Sequence, residues 1–279
     1  MSNIPTVAAR LDTANSGDAR APAVAAGGGG LWAVVPVKSF ARTKQRLAGA
    51  LVPEDRARLA RAMFGDVLDA LTQCHSLAGL LVVTGDPDAA RMALAAGAQV
   101  LHEAQGEGTA AAVALAAREL AAAGRAGMLV LPADVPAITV ADVEALIAAH
   151  ARQTMKDNKS AVTLVPAGSD GGTNALVCSP PDALPPCFGP DSFRRHVALA
   201  EQLGMQPCVL KLARLSQDID RPEDLQAFLA SEDARGTRVW RALREQDSPG
   251  ENNTGKDSPR DEPVRVQRSQ AGLTSRVTP

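Results

Sequence analysis

The sequence predicts an α/β fold, arranged as a single domain of three layers (α/β/α) around a mostly parallel, mixed sheet. Short apolar runs alternate with segments whose apolar residues repeat at the helical period, which is typical of parallel strands with helices on both faces. Hydrophobic residues make up 46% of the chain and charged residues 22%, an ordinary balance for a globular domain. Late in the chain, two strand-like runs flank one tight turn, which predicts an antiparallel pair.

The first half of the chain carries three predicted strands and two predicted helices. The strands are the short apolar runs WAVVPV, LLVVT and AQVLH, at residues 32–37, 80–84 and 98–102. A helix at 53–74 begins with Pro53, a residue suited to the first helical position. The next helix, at 86–96, ends before Gly97, a typical C-terminal cap.

The second half continues the alternation. An alanine-rich helix at 109–123 stops at Gly124, and Thr139 is a typical N-cap for a later helix that runs to about residue 151. Four further strands are predicted at 128–133, 161–165, 174–178 and 208–212. The last two helices are predicted at 191–204 and 221–230.

The two ends of the chain differ from this core in composition. Residues 1–30 are rich in Ala, Gly, Ser and Pro, and residues 247–279 are polar, so we expect a disordered leader and tail around a domain at 31–246. The start lacks the basic and apolar regions of a signal peptide, and no run of about 18 apolar residues occurs. We therefore expect a cytoplasmic protein with no membrane partner.

Charge and cysteine usage exclude two function classes. The net charge of -2 gives no basic surplus for a nucleic-acid backbone, whereas a small phosphorylated ligand needs only a few cations. The four cysteines form no CxxC pair, and no HExxH spacing occurs, so a structural zinc site is not supported.

Basic residues follow the first predicted strand, where α/β folds bind ligands. Lys38, Arg42, Lys44 and Arg46 fall within nine residues, and such charge could hold phosphate groups without a glycine-rich loop. The GxxxxGK[ST] pattern is absent. A solvated basic turn is the alternative interpretation of the same spacing.

Carboxylates follow the fourth strand and precede the last helix. Asp134 lies between two prolines at a strand end, and Asp218 and Asp220 are two residues apart, so they share one side of an extended segment. Carboxylate oxygens are the ligands that Mg²⁺ prefers. The alternatives are a turn aspartate at Asp134 and a helix cap at Asp220.

Two loops are candidate anion sites. Residues 170–174 (DGGTN) form a hairpin-type turn, and residues 188–192 (FGPDS) lead into a helix, where free N–H groups and a hydroxyl attract anions. An ordinary turn and an ordinary serine cap are the more common explanations of the same residues.

Taken in order, these segments resemble a known family. VPVKSFARTKQRLA, VVTGD, LPADVP, DGGTNAL and FGPDSF, over about residues 32–230, are similar to the 2-phospholactate guanylyltransferase family of coenzyme F-420 biosynthesis. That family belongs with nucleotidyltransferases similar to the molybdenum cofactor guanylyltransferase. The resemblance implies a Rossmann-like nucleotidyltransferase fold.

The resemblance also implies roles for individual residues. GTP would be bound by Pro36, Lys38, Lys44, Arg46, Thr84 and Gly108. Catalysis would fall to Lys44, Arg46 and Asp134, and Mg²⁺ to Asp134, Asp218 and Asp220. A three-carbon phospho-acid would contact Thr173, Gly189 and Ser192.

The implied reaction joins GMP from GTP to a phospho-acid and releases pyrophosphate, and the product would pass to a downstream deazaflavin-modifying transferase. The family's acceptors are 2-phospho-L-lactate, phosphoenolpyruvate and 3-phospho-D-glycerate. Thr109-Ala110 stand where the family commonly has Leu-Asn, and this departure favours 3-phospho-D-glycerate here. A homodimer is the expected assembly if the chain is not a monomer.

Two alternatives stay open at this point. One is a nucleotidyltransferase that acts on a sugar phosphate or molybdopterin, although the GGxSxRMG loop is absent. The other is a catalytically dead domain that binds nucleotide and a protein partner.

Overall fold

A seven-stranded mixed sheet forms the centre of the molecule. The structure, a computed structural model, describes residues 30–103, 108–157, 160–168 and 171–244. The sheet order is β3-β2-β1-β4-β6-β5-β7, and β6 alone runs antiparallel to its neighbours among the described strands. The strands are β1 Leu31–Val37, β2 Gly79–Thr84, β3 Gln99–His102, β4 Gly127–Val130, β5 Ala161–Pro166, β6 Thr173–Ser179 and β7 Cys208–Val209.

Helices cover both faces of the sheet. The helices are α1 Pro53–Thr72, α2 Pro87–Ala95, α3 Thr109–Ala122, α4 Val140–Asp157, α5 Ser192–Gln202, α6 Pro222–Ala230 and α7 Arg238–Arg244. Side chains of α3 and α5 pack on one face, and side chains of α1, α2, α4, α6 and α7 pack on the other. The predicted three-layer α/β fold is therefore confirmed. None of the described helices is long and apolar enough to cross a bilayer.

Strand β1 shows why the sequence selects this arrangement. Ala33 and Val35 are fully buried on one face of the sheet, and Val34 is fully buried on the other. A strand covered on both faces loses the alternation of apolar and polar residues and becomes a continuous apolar run. The WAVVPV segment has this character, which is why it was recognisable.

The structure departs most from the predicted bounds in three places. Strand β4 ends at Val130, because Pro132 cannot donate a ladder hydrogen bond. Strand β7 has only two residues, since the chain turns at residues 213–216. Helix α4 runs six residues beyond the predicted end, to Asp157.

Helix α7 was not predicted, because tertiary contacts define it. The backbone N–H groups of Arg238 and Val239 donate to the Asp66 carboxylate of α1 at 2.6 and 3.2 Å. The Arg238 guanidinium also contacts Asp69 at 2.7 and 2.9 Å. The expected leader and tail, by contrast, remain predictions, since residues 1–29 and 245–279 lie outside the described residues.

The strand order places a topological switch point beside β1. The chain passes from β1 to β2 and β3 on one side of the sheet, and β4 is added on the other side. Because parallel strands end at the same edge, the loops after β1 and β4 diverge there and leave a crevice. The basic loop and Asp134 both lie at this edge.

The buried histidine His150 predicts a loss of stability in acid. Its Nδ1 lies 3.0 Å from the Thr163 hydroxyl and its Nε2 lies 2.9 Å from the Ser179 hydroxyl. Burial lowers the pKa of His150 to about 4. The unfolded chain therefore takes up the proton first, near pH 6.5, so stability is present above that pH and is lost as the pH falls toward 4.

Between pH 6.5 and 5, this linkage removes about 2 kcal/mol from the free energy of unfolding. Urea titrations at both pH values would measure it. His150→Gln should weaken the acid dependence by about that amount, whereas His75→Gln, at an exposed position, should leave it unchanged. An identical acid dependence in His150→Gln and in the native protein would contradict the assignment.

Candidate active site

The ammonium group of Lys44 links two carboxylates that are far apart in sequence. Its Nζ lies 2.6 Å from Asp134 Oδ2 and 2.6 Å from Asp220 Oδ1, and the Lys44 side chain is only 5% exposed. Arg46 lies further out, with Nη1 3.4 Å from Asp220 Oδ2. The structure thus brings together four of the predicted site residues.

The loop after β1 holds Lys44 in an uncommon conformation. Lys44 has φ 54° and ψ 39°, in the left-handed region that non-glycine residues seldom adopt. Two short 3₁₀ turns flank it, anchored by the buried side chains of Phe40 and Leu47. Such backbone strain persists only where surrounding contacts enforce it, and it is common at functional sites.

A backbone hydrogen bond joins the two acidic loops. The N–H of Ile219 donates to the carbonyl of Asp134 at 3.1 Å, and the Ile219 side chain is buried. This bond sets Asp134 beside the segment that carries Asp218 and Asp220. The two loops therefore meet through the main chain as well as through Lys44.

Asp220 is not the cap of α6. Its own N–H and that of Arg221, the N-cap residue, both donate to the Asp224 carboxylate, at 3.1 and 2.8 Å. The Asp220 side chain is therefore free of the helix and contacts Lys44 and Arg46 instead. The helix-cap interpretation of Asp220 is wrong for this reason.

Asp218 is held by a different partner. The Asn174 amide of β6 donates to Asp218 Oδ1 at 2.9 Å. Burial raises the pKa of Asp218 above its usual value, against the hydrogen bond from Asn174, and the charges of Asp134 and Asp220 raise it further. Asp218 thus lies close enough to Asp134 and Asp220 for their charges to raise its pKa.

The electrostatics favour a charged Lys44. Burial lowers the pKa of Lys44, but the charges of Asp134 and Asp220 raise it by more, so that it stands above the usual value. Burial also raises the pKa of Asp220, and Lys44, Arg46 and Lys38 together lower it below the usual value. Lys44 and Asp220 therefore both carry their full charges near neutral pH.

A cleft of about 400 Å³ opens at this cluster. We call it the first cleft. Predicted residues that line it are Pro36, Lys38, Lys44, Arg46, Asp134 and Asp220. Arg42, the fourth cation of the predicted basic loop, and Thr109, which stands where the family commonly has Leu, also line it.

A second cleft, of about 500 Å³, adjoins the first and shares Pro36, Lys38, Arg42 and Thr109 with it. It lies where β1, β2 and β3 end and α3 begins. Other residues that line it include Gly85, Asp86, His102, Glu103 and Gly108. Gly108 has φ 97°, which suits glycine at this turn into α3.

Thr84 lies behind the second cleft and not in its wall. Thr84 is fully buried, and its hydroxyl accepts a hydrogen bond from the N–H of Asp86 at 3.0 Å. Asp86 and Glu103 were missed by the sequence reasoning. The rule applied to the first and fourth strands, a polar residue directly after a strand, would have found both.

The expected acceptor residues form a separate, buried cluster. The Thr173 hydroxyl lies 2.9 Å from His196 Nδ1. The same Thr173 hydroxyl accepts a hydrogen bond from the Ser192 hydroxyl at 3.3 Å. Burial and the charge of Arg195 lower the pKa of His196 to about 4, so its ring is neutral near pH 7. Gly189, with φ 122°, lies at the start of the loop into α5.

None of Thr173, Gly189 and Ser192 lines either of the two clefts as they stand in the described structure. Thr173 is nevertheless next to Asn174, the partner of Asp218. The cluster therefore adjoins the acids through β6. Asp170, at the start of the predicted turn, lies outside the described residues.

Asp134 and Asp220 could hold a magnesium ion together with ligands from outside the protein. No group of three or more His, Cys, Asp or Glu side chains in the described ranges is close enough to enclose a metal. Asp134 and Asp220, however, already face one cationic group, the Lys44 ammonium, at 2.6 Å each. Mg²⁺ commonly binds through one or two carboxylates, with phosphate oxygens and waters as the other ligands.

Comparison with known proteins places the chain in a family. The model of the family described as "Guanylyl transferase CofC like" matches residues 31–258. A phosphoenolpyruvate guanylyltransferase of Conexibacter woesei is 37% identical over 197 residues, which cover 71% of this chain and 86% of the relative. A 2-phospho-L-lactate guanylyltransferase of Methanothermobacter thermautotrophicus is 32% identical over 213 residues, covering 76% and 90%.

A solved structure supports the fold alone. A protein from Desulfovibrio desulfuricans G20, described as a nucleotide-diphospho-sugar transferase, superposes with a TM-score of 0.62 at 18% identity, covering 77% of this chain and 94% of that one. The match to the family model extends from β1 to beyond α7. The chain therefore belongs to the guanylyl transferase CofC-like family of nucleotidyltransferase enzymes.

Proposed function

We propose that this protein transfers GMP from GTP onto the phosphate of a three-carbon phospho-acid and releases pyrophosphate. The observation that carries the proposal is the contact of Lys44 with Asp134 and Asp220, at 2.6 Å each, in a cleft at the sheet's switch point. One cleft then offers cations for phosphate groups and carboxylates for a divalent metal. Family membership supports guanylyl transfer as the reaction.

GTP would span the two clefts. Lys38, Lys44 and Arg46 supply the positive charge for its phosphates, in the first cleft. Pro36 and Gly108 line the second cleft, on the nucleoside side, and Thr84 supports that wall through its bond to Asp86. Exclusion of water from such a cleft strengthens each of these electrostatic contacts.

Magnesium would be held by Asp134 and Asp220, and Asp218 would complete the set of acids. When bound, the ion supplies neutralisation of charge on the phosphate groups. Lys44 would share this task, because it can exchange a carboxylate oxygen for a phosphate oxygen without leaving the cleft.

The chemistry requires little from the protein beyond position and charge. The acceptor's phosphate is an anion near neutral pH, so no general base is needed. One of its oxygens bonds to the α-phosphorus of GTP, the bond from that phosphorus to the bridging oxygen breaks, and pyrophosphate leaves with the electron pair. Lys44 and Arg46 stabilise the charge on the transferring and leaving groups.

The acceptor would bind on the side of Thr173, Gly189 and Ser192, next to Asn174 and Asp218. Relatives named for phosphoenolpyruvate and for 2-phospho-L-lactate support a three-carbon phospho-acid. The preference for 3-phospho-D-glycerate rests on Thr109-Ala110, and Thr109 lines both clefts. This preference stays a prediction, and the rates of pyrophosphate release with the three acids would test it.

The product, a diphosphate that joins guanosine to the acid, would be consumed by a transferase that modifies a deazaflavin, as in coenzyme F-420 biosynthesis. We also propose that the protein is cytoplasmic and that it forms a homodimer.

A nucleotidyltransferase acting on a sugar phosphate or molybdopterin is the second candidate, and a larger thermal shift with CTP than with GTP would favour it. Nucleotide binding without turnover would favour the inactive binding domain.

The first prediction of this proposal is pyrophosphate release. The protein, GTP and Mg²⁺ should release pyrophosphate with at least one of the three phospho-acids, and chelation of the metal should stop the release. Asp134→Asn should lower kcat/KM by about 100-fold or more, because charge stabilisation at the transferring phosphate is lost. A downstream enzyme or trapping agent would be included to remove unstable product.

Asp182→Asn makes the same chemical change at an exposed position outside both clefts and should leave the rate unchanged. Absence of release with all three acids, with the product trapped, would contradict the proposal.

The second prediction concerns the free protein. A double-mutant cycle with Lys44→Met and Asp134→Asn should give a coupling free energy of about 1–3 kcal/mol, because the ammonium is buried. The same cycle for Arg46→Met and Asp220→Asn should give less than about 1 kcal/mol, since the Arg46 side chain is 60% exposed. Urea unfolding would measure both. Equal coupling in the two cycles would show that Lys44 is not the internal counter-ion of the acids.

A further inference from the structure

Glu103 is a carboxylate of the second cleft that the reaction as described does not use. It follows β3 directly and lines the cleft with Gly85, Asp86 and His102. Its Oε1 atom is buried and has no hydrogen-bond partner among the described residues. A buried acceptor without a donor costs free energy, so its retention in a cleft wall points to a ligand that supplies the donor.

The neighbouring carboxylate, Asp86, is not available for a ligand. Its Oδ1 accepts from the N–H groups of Asp88 and Ala89, at 2.9 and 3.1 Å, and so caps α2. Its Oδ2 accepts from the N–H of Phe40 at 3.0 Å. Of the two carboxylates in the second cleft, Glu103 therefore holds the unengaged oxygen.

The backbone around Glu103 is fixed. Its N–H donates to the carbonyl of Thr84 at 3.2 Å. A Cβ atom added to Gly85 would lie 2.5 Å from the Glu103 carbonyl oxygen, so β2 and the end of β3 approach as closely as only glycine permits. Oε1 itself is shielded from solvent, and rotation about the side-chain torsions of Glu103 would present both oxygens to a ligand in the cleft.

The two clefts share Lys38 and Arg42 but differ in their other charged residues. Lys44 and Arg46 line only the first cleft, where their charges suit the triphosphate. The base would then lie in the second cleft. A carboxylate there accepts hydrogen bonds and donates none. Guanine presents two adjacent donors on its Watson–Crick edge, the N1–H and the 2-amino group, which match the two oxygens of one carboxylate.

We propose that Glu103 selects guanine by accepting hydrogen bonds from the N1–H and the 2-amino group of the base. This inference rests on the proposed function, in which GTP is the donor nucleotide. Adenine and cytosine place an acceptor ring nitrogen where guanine has N1–H, and uracil flanks its single N–H with two carbonyl oxygens. Each of these would leave the carboxylate unpaired or facing an acceptor, which a buried site rejects strongly.

The test measures binding, so that it does not depend on turnover. Titration calorimetry with Mg²⁺ would compare GTP, inosine triphosphate (which lacks the 2-amino group) and xanthosine triphosphate (which has a carbonyl oxygen in its place). The native protein should bind inosine triphosphate about 10-fold more weakly than GTP, and 1-methyl-GTP more weakly still.

Glu103→Gln should reverse part of this selectivity. An amide offers one acceptor and one donor, which match the N1–H and the 2-carbonyl of xanthine. We expect GTP affinity to fall about 10- to 100-fold while the ratio of xanthosine triphosphate to GTP affinity rises by about 100-fold. A purely structural role would lower both affinities together. Glu201→Gln, at an exposed position on α5, should change neither.

The outcomes separate this inference from the proposed function. Equal affinity of the native protein for GTP and inosine triphosphate, or an unchanged nucleotide ratio in Glu103→Gln, would overturn the role of Glu103 while guanylyl transfer stands. Guanine-selective binding without pyrophosphate release would sustain Glu103 and overturn the transfer. If Glu103→Gln does not fold, the 1-methyl-GTP and inosine triphosphate measurements on the native protein decide.

Discussion

The contact of one buried ammonium group with two carboxylates holds the site together. Lys44 comes from the loop after β1, Asp134 from the loop after β4, and Asp220 from the segment before α6. Without the lysine, two carboxylates would face each other in a partly buried cleft, which raises the free energy of the folded state. The left-handed backbone of Lys44 and the Ile219–Asp134 hydrogen bond both serve to keep this contact in place.

The sheet supplies the frame for that contact. Because β1 lies between β2 and β4, its loop can reach toward both neighbours, and two clefts open on either side of Lys38. The first cleft combines cations with carboxylates, as phosphate chemistry with a divalent metal requires. The second has a free carboxylate oxygen at Glu103, which suits a ligand with donors. The strand order thus sets Lys44, Asp134 and Asp220 in one cleft and Glu103 in the other.

Local sequence patterns predicted most of the strands and helices, but not where several of them end. The apolar run of β1 and the helical period of α1 were recognisable because burial on two faces, or on one stripe, leaves a direct mark on the sequence. The bounds of β4 and β7 were overestimated, since a proline and a turn end the ladders there. Helix α7 was missed, because its cap is Asp66, a residue more than 170 positions away.

The site was predicted unevenly for a related reason. Lys44, Asp134 and Asp220 follow or precede regular elements at one edge of the sheet, so strand-end reasoning found them. The pairing of Asp218 with Asn174, and of Thr173 with His196, joins residues 44 and 23 positions apart and needs the packed structure. Glu103 directly follows β3, so the same reasoning applied to that strand end would have found the residue, but its unpaired oxygen has no local sequence pattern.

The most direct measurement is a crystal structure with Mg²⁺ and a GTP analogue whose α,β-bridging oxygen is replaced by methylene. We expect the triphosphate in the first cleft, Lys44 Nζ in contact with a phosphate oxygen, and the metal on Asp134 and Asp220. A triphosphate bound elsewhere, with Lys44 still in contact with both carboxylates, would contradict this expectation.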